Sequence, residues 1–210
     1  MKETILAIDI GSSKIATIIA NIQDKNMDIL GISISNSLGI KKGSIIDIEE
    51  TYHSVKNSIN EAKKNLPIEI NRVIVTLSGK DSLNIKSSGK INIPEKVITK
   101  REINQVLQTV LYNASIPHDY EMIHLIPKNF IVDNISAVNP LNSNANSLEV
   151  QANIIVVKKN LLANYRNIFT RLNLNNINFI LNGYSTIYAL TDISQRKNGV
   201  ALINTGAETS

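Results

Sequence analysis

Residues 5–22 read Ile5-Leu6-Ala7-Ile8-Asp9-Ile10-Gly11-Ser12-Ser13-Lys14-Ile15-Ala16-Thr17-Ile18-Ile19-Ala20-Asn21-Ile22. Two apolar, β-branched runs flank Gly11-Ser12-Ser13, a link too short for a crossover helix, so the runs pair as an antiparallel hairpin. After the polar turn Gln23 to Asn26, Met27 to Ser35 supplies a third strand. Three successive strands joined by short turns make a meander, which a parallel dinucleotide-binding fold would not begin with.

Beyond the Gly39 to Gly43 turn, Asp47 with Glu50 forms a capping-box pattern. Ile48, Tyr52, Val55, Ile59, Ala62 and Leu66 then mark one face of a helix that Pro67 closes. Val73 to Leu77 reads as a short buried strand ending at Ser78-Gly79, after which the pattern changes. Ser82 to Ile93 alternates like a half-exposed strand, and Thr99 with Glu102 caps a helix carrying Ile103, Val106, Leu107, Val110 and Leu111. Met122 to Val132 and Leu148 to Val157 are two further strands, separated by a surface loop over Asn139 to Ser147. From Leu161 the first pattern resumes, with Leu161, Leu162, Tyr165, Ile168, Phe169 and Leu172 on one helix face and a strand from Ile177 to Leu181. A helix about Ser185 to Ile193 and a last buried strand, Val200 to Asn204, lead into Thr205-Gly206-Ala207-Glu208-Thr209-Ser210. The fold class is α/β, with residues 1–81 and 160–210 forming one body and 82–159 an inserted strand–helix–strand–strand subdomain.

The 210 residues are 43% hydrophobic and 19% charged, the composition of a folded chain that needs no staple. With no cysteine there is no thiol nucleophile, disulfide or Cys-ligated metal. His53, His118 and His124 lack the spacing that sets two imidazoles on one helix face. The net charge of +4 comes from scattered pairs such as Lys41-Lys42, Lys63-Lys64 and Lys158-Lys159, without interleaved aromatics, so no nucleic-acid partner is expected. Met1 to Ile5 has neither signal-peptide nor membrane-span character, and the expected address is the cytoplasm.

Asp9 to Lys14 is the sharpest chemical signal. A glycine turn can aim backbone N–H groups at an anion. Gly11 with φ > 0 would let a phosphate approach, Ser12 and Ser13 add donors, Lys14 adds charge, and Asp9 is placed to hold magnesium through its waters. The same residues also make an ordinary ligand-free hairpin turn. The turn from Asn204 to Thr209 reads in two ways as well: as a second phosphate loop using Gly206, Ala207, Glu208 and Thr209, or as a plain turn. Asp119, Asp133 and Asp192, the candidate general bases for a small-molecule kinase, lie in turns without supporting motifs and read as solvated.

Four stretches together resemble the FtsA family of actin-like bacterial cell-division proteins. They are Leu6 to Lys14, Gly39-Ile40-Lys41-Lys42-Gly43 leading to Asp47-Ile48-Glu49-Glu50, Thr76-Leu77-Ser78-Gly79, and Asn139-Pro140-Leu141 with Leu148-Glu149-Val150-Gln151-Ala152. The resemblance implies an actin-like (ribonuclease H-like) subdomain 1A with an SHS2-type subdomain 1C between Gly79 and about Lys159. It further implies an ATP and magnesium site between two halves, self-association into filaments, and partners among FtsZ and later division proteins. The expected location is the inner face of the cell membrane at the division site, reached through a C-terminal helix that, like the second half of the fold, lies outside these residues. Asn204, Ala207, Glu208 and Asn182 depart from the family pattern, so at most weak ATP hydrolysis is expected. The pilus-assembly relative PilM, with a similar insertion, is the alternative within the fold.

Overall fold

A computed structural model describes residues 2–24, 26–64 and 67–209; Leu66, expected on the first helix face, lies outside them. The chain runs β1 (Lys2–Ile10), β2 (Lys14–Gln23), β3 (Asn26–Asn36), β4 (Ile40–Lys41), β5 (Ser44–Ile45), α1 (Ile48–Lys63) and β6 (Arg72–Leu77). It continues through β7 (Ser82–Val97), α2 (Lys100–Asn113), β8 (Tyr120–Val132), β9 (Ile135–Ala137) and β10 (Asn144–Lys158). Last come α3 (Lys159–Thr170), β11 (Ile177–Leu181), α4 (Asn182–Leu190) and α5 (Ile193–Asn198). Two compact units result: residues 1–81 with 159–210, and residues 82–158.

The first unit is built on a five-stranded sheet ordered β11-β6-β1-β2-β3. β1 is central, antiparallel to β2 and parallel to β6, and β2 and β3 complete the meander. Leu6, Ile8, Ile15 and Ile19 are fully or almost fully buried, as alternation along a half-covered strand requires. On α1, Ser54, Ser58 and Ala62 recur every four residues and are buried, so they form one stripe along the helix. That stripe meets the cross-strand pairs Thr17–Ser33 and Ile19–Gly31. The Ser58 and Thr17 hydroxyls are 2.7 Å apart, and Ser33 Oγ donates to the Ser58 carbonyl at 2.7 Å. A Cβ at Gly31 would stand 1.8 Å from the Ala62 carbonyl oxygen, so only glycine lets the helix lie this close.

Asp47 caps α1 by accepting from the amides of Glu49 and Glu50, both at 2.9 Å. The amide of Asp47, which a capping box would pair with the Glu50 side chain, donates instead to the Gly39 carbonyl at 3.1 Å, as does that of Ile46 at 2.8 Å. Gly39, at φ 77°, thus ties the start of α1 to the β4–β5 hairpin. α3 buries Leu161, Leu162, Tyr165, Ile168 and Phe169, while Leu172 falls in the turn beyond its end. Arg171 reaches back from that turn to Glu49 at 2.7 Å.

Two expectations fail near the end of the described chain. The expected helix about Ser185 to Ile193 is two helices, because Asp192 accepts from Gln195 N and caps a new one. Val200 to Asn204 forms no strand; Val200 is 38% and Ile203 88% exposed. A strand needs a hydrogen-bonded neighbour, and none lies beside this segment among the described residues.

The second unit is a four-stranded antiparallel sheet ordered β7-β10-β8-β9 with α2 across one face. Ile91, Ile93, Val106, Val110, Leu148, Val150, Ile154 and Val156 form its core. Thr99 and Glu102 cap α2 reciprocally. A Cβ on Gly89 would come within 2.8 Å of Val110 N and Val106 O, and Ser87 Oγ donates to the Val110 carbonyl at 2.8 Å. The expected loop over Asn139 to Ser147 is shorter, since β10 begins at Asn144. Asp133 and Asn134, with φ of 47° and 69°, form the two-residue turn joining β8 to β9. Asp133 also binds the amides of Asn146 and Ser147 at 3.0 and 2.8 Å, which holds its carboxyl below the usual range.

Gly31→Ala should lower stability by about 3 kcal/mol in urea unfolding and Gly89→Ala by about 1–3 kcal/mol. Gly183→Ala, with open space at its Cβ inside α4, should be neutral or stabilising by up to about 1 kcal/mol. Because the folded-state pKa values of Asp133 and Glu102 are depressed, their contribution is present above about pH 4 and is lost as pH falls through the folded values. Asp133→Asn should therefore flatten the acid limb of a plot of urea midpoint against pH.

Candidate functional site

Asp9 sits near the end of the central strand, opposite Thr76 on parallel β6. Thr76 Oγ1 donates to Asp9 Oδ1, and Asn182 Nδ2 donates to the same oxygen at 3.3 Å. Asn182 Oδ1 accepts from Asn204 Nδ2 at 2.8 Å and from Thr186 Oγ1 at 3.1 Å. One carboxylate oxygen of Asp9 thus accepts a hydroxyl and an amide N–H; its other oxygen is a hard ligand of the kind that suits magnesium with its retained waters. Among the described residues no three His, Cys, Asp or Glu side chains gather into a metal site, so such an ion would rest on this one carboxylate.

The two glycine turns share one construction. Gly11 N donates to Lys14 O at 3.0 Å, and Gly206 N donates to Thr209 O at 2.8 Å. In each, a Cβ would lie 3.0 Å from the accepting carbonyl. The expected positive φ at Gly11 is not found; the glycines with positive φ are Gly39, Gly43 and Gly199. Closing the turn already occupies the Gly11 amide, so the N–H groups presented to an anion must come from other residues.

The β4–β5 hairpin brings two amides to the turns, each held by a side chain rather than by a turn-closing carbonyl. Lys42 and Gly43, with φ of 47° and 72°, form its two-residue turn. Gly43 N donates to Ser12 Oγ at 3.1 Å on one side, while Lys42 N donates to Glu208 Oε2 at 2.6 Å on the other. Ser78 Oγ donates to Gly43 O at 3.4 Å, and Thr209 Cγ2 is 3.6 Å from where a Gly43 Cβ would be. Ser12, Glu208 and Thr209 therefore meet around one hairpin tip. Ser13, Lys14 and Ala207 are exposed on the same two turns.

Glu208 is the charged group inside this arrangement. The Lys42 amide, the Ser12 hydroxyl and the charges of Lys41 and Lys42 hold its carboxyl below the ordinary glutamate range. The donors suit a phosphate, but the chain's own carboxylate stands among them. Asp133 and Asp192, weighed as kinase bases, are committed to backbone amides. The second unit has a shallow cavity of about 390 Å³ lined by Lys86, Ser88, Lys128, Gln151 and Asn153. Among the described residues, no helix is long and apolar enough to cross a membrane.

Sequence reasoning singled out Asp9, the glycine turns and the Gly39 to Gly43 segment separately. It missed that Lys42 and Gly43 would bridge the two turns and that Ser78 would support them. The usable signal was Lys42-Gly43 set symmetrically between Ile40 and Ile45, with a glycine able to take positive φ at the second turn position.

A family model described as the SHS2 domain inserted in FtsA matches residues 79–156. The cell division protein FtsA of Borreliella burgdorferi is 31% identical over 215 residues, covering 100% of this chain and 51% of that protein. The Bacillus subtilis protein of the same name is 28% identical over 208 residues, covering 97% and 47%. A solved PilM-PilN type IV pilus biogenesis complex superposes with a TM-score of 0.57 at 12% identity, over 88% of this chain and 49% of that one. The chain spans about half the length of the relatives it matches. The resemblance drawn from the motifs stands: the chain is similar to FtsA along its whole length, with an actin-like fold and a match to the SHS2 domain inserted in FtsA lying between β6 and α3.

Ser12→Ala should remove the acceptor of the Gly43 amide. Hydrogen exchange at Gly43 should then quicken by roughly 2- to 10-fold, the equivalent of one net hydrogen bond, with no change in the second unit.

Proposed function

We propose that this FtsA-type chain, carrying the SHS2 domain of those proteins, is part of a cell-division scaffold that binds ATP and magnesium and works by assembly rather than by metabolic turnover. The observation that carries the reading is the matched insertion at residues 79–156 within a chain that aligns to FtsA along its whole length. The meeting of the two glycine turns at the β4–β5 tip supports the nucleotide part.

In this reading Asp9 orients the magnesium through water, while Lys42, Gly43, Ser12, Ser13 and Thr209 bind the phosphates and Lys14 adds positive charge. Bound nucleotide would supply a polyanion that joins the turns across the site. Around Asp9 stand Thr76, Asn182 and Asn204, whose hydroxyl and amide groups take up no proton near neutral pH. That set supports holding a nucleotide in preference to activating a water. Self-association, contact with FtsZ and later division proteins, and a peripheral place at the membrane of the division site complete the proposal. A role in pilus assembly has the backbone superposition in its favour, but at 12% identity that likeness is one of fold.

A fluorescent fusion of this chain, expressed in its own bacterium beside the native division machinery, should concentrate in a band at the constriction site. A polar distribution would favour pilus assembly, and an even cytoplasmic signal would contradict recruitment to the division site.

A further inference from the structure

Glu208 stands out because every group around it is one that an anionic ligand would use. Its Oε2 accepts the Lys42 amide at 2.6 Å, the Ser12 hydroxyl bonds the same carboxylate, and Lys41 and Lys42 surround it with positive charge. Ser12 Oγ in turn accepts the Gly43 amide at 3.1 Å, so the carboxylate ends a short chain of donors running through both turns. The turns correspond position for position: Gly11-Ser12-Ser13-Lys14 against Gly206-Ala207-Glu208-Thr209, each closed by its glycine amide on the fourth carbonyl. Where the first turn offers a hydroxyl at Ser13, the second presents a full negative charge.

We propose that Glu208 is an internal competitor for the phosphate site, a carboxylate that holds the donors of Lys42 and Ser12 until a polyphosphate displaces it. The inference rests on the nucleotide reading of the two turns and adds the group that sets their affinity. A carboxylate and a phosphoryl group cannot share these donors, and placing them side by side sets like charges against each other. Binding therefore requires the 206–209 turn to carry Glu208 outward. The segment before the turn permits this: residues 199–206 form no strand, and Asn204 is anchored by a side-chain hydrogen bond to Asn182, the first residue of α4, so the turn can move about that point. Swinging the carboxylate into water breaks no ladder of backbone bonds. The consequence is a weak site in the resting chain, in which nucleotide occupancy and the position of the second turn change together.

Isothermal titration of inorganic tripolyphosphate, and separately of Mg-ATP, into the wild-type chain, Glu208→Gln and Glu208→Ala tests this. Glu208 is exposed, so both variants should keep the wild-type far-ultraviolet circular dichroism. Glu208→Ala should bind tripolyphosphate at least roughly tenfold more tightly than wild type, since it frees donors and removes a like charge. Glu208→Gln should fall between, because its neutral amide oxygen still accepts from Lys42. In ligand-free ¹⁵N spectra the Lys42 amide signal should move in Glu208→Ala, reporting release of the docked carboxylate. Equal binding by all three chains would overturn the competitor role and leave the nucleotide reading standing. No binding by any of them, with the Lys42 signal moved in Glu208→Ala, would overturn the nucleotide reading and the competitor role with it.

Discussion

The first unit depends on how closely α1 lies on β2 and β3. At Gly31 the helix backbone comes nearer to the strand than any Cβ allows, and the Thr17, Ser33 and Ser58 hydroxyls satisfy one another in the seam. This holds α1 against the sheet, and at the other end of the helix Asp47 and Ile46 hang from the Gly39 carbonyl. Gly39 begins the β4–β5 hairpin, and the hairpin tip carries the amides that reach Ser12 and Glu208. A packing contact thus sets, through one helix cap and one hairpin, where the candidate site's donors point. The second unit uses the same device, with Gly89 beneath α2 and Ser87 bonded to that helix.

The site combines an oxygen cluster about Asp9 with a donor cluster about the hairpin tip. The first cluster has one carboxylate and several neutral amides and hydroxyls, which the proposed function assigns to holding a hydrated cation. The second has amides and a hydroxyl, and the chain itself provides the anion they face. The proposed scaffold, if its nucleotide state governs assembly, needs affinity that responds to conformation more than it needs fast chemistry. Glu208 on an unladdered turn gives that response a physical form.

Much of the fold was readable from periodicity because the core sheet alternates and the helices carry clear caps. The ends of β1 to β3 and β6 lie within a few residues of where apolar runs meet polar turns, and β11 from Ile177 to Leu181 matches its apolar run. What escaped the sequence depends on neighbours that no local pattern announces. Gly31 and Gly89 look like ordinary strand glycines until a helix is placed over them. Glu50 satisfies the spacing of a capping box, yet the Gly39 carbonyl takes the amide it would have bonded. Val200 to Asn204 has the composition of a strand but, among the described residues, no strand partner to make it one. β9 was missed because its turn is Asp133-Asn134 rather than a glycine pair, although both residues tolerate positive φ. For the site, the two glycine turns were visible singly, while their meeting through Lys42 and Gly43 is a property of the folded unit.

The central claim is that the turns at Gly11 and Gly206 and the tip at Lys42 and Gly43 act as one anion site. The most direct measurement is a titration of Mg-ATP into the ¹⁵N-labelled chain, following each backbone amide. The account predicts that the signals of Ser12, Ser13, Lys42, Gly43, Ala207, Glu208 and Thr209 move together along a single binding curve. Shifts confined to one turn, or centred on Lys86 and Lys128 in the second unit, would contradict it.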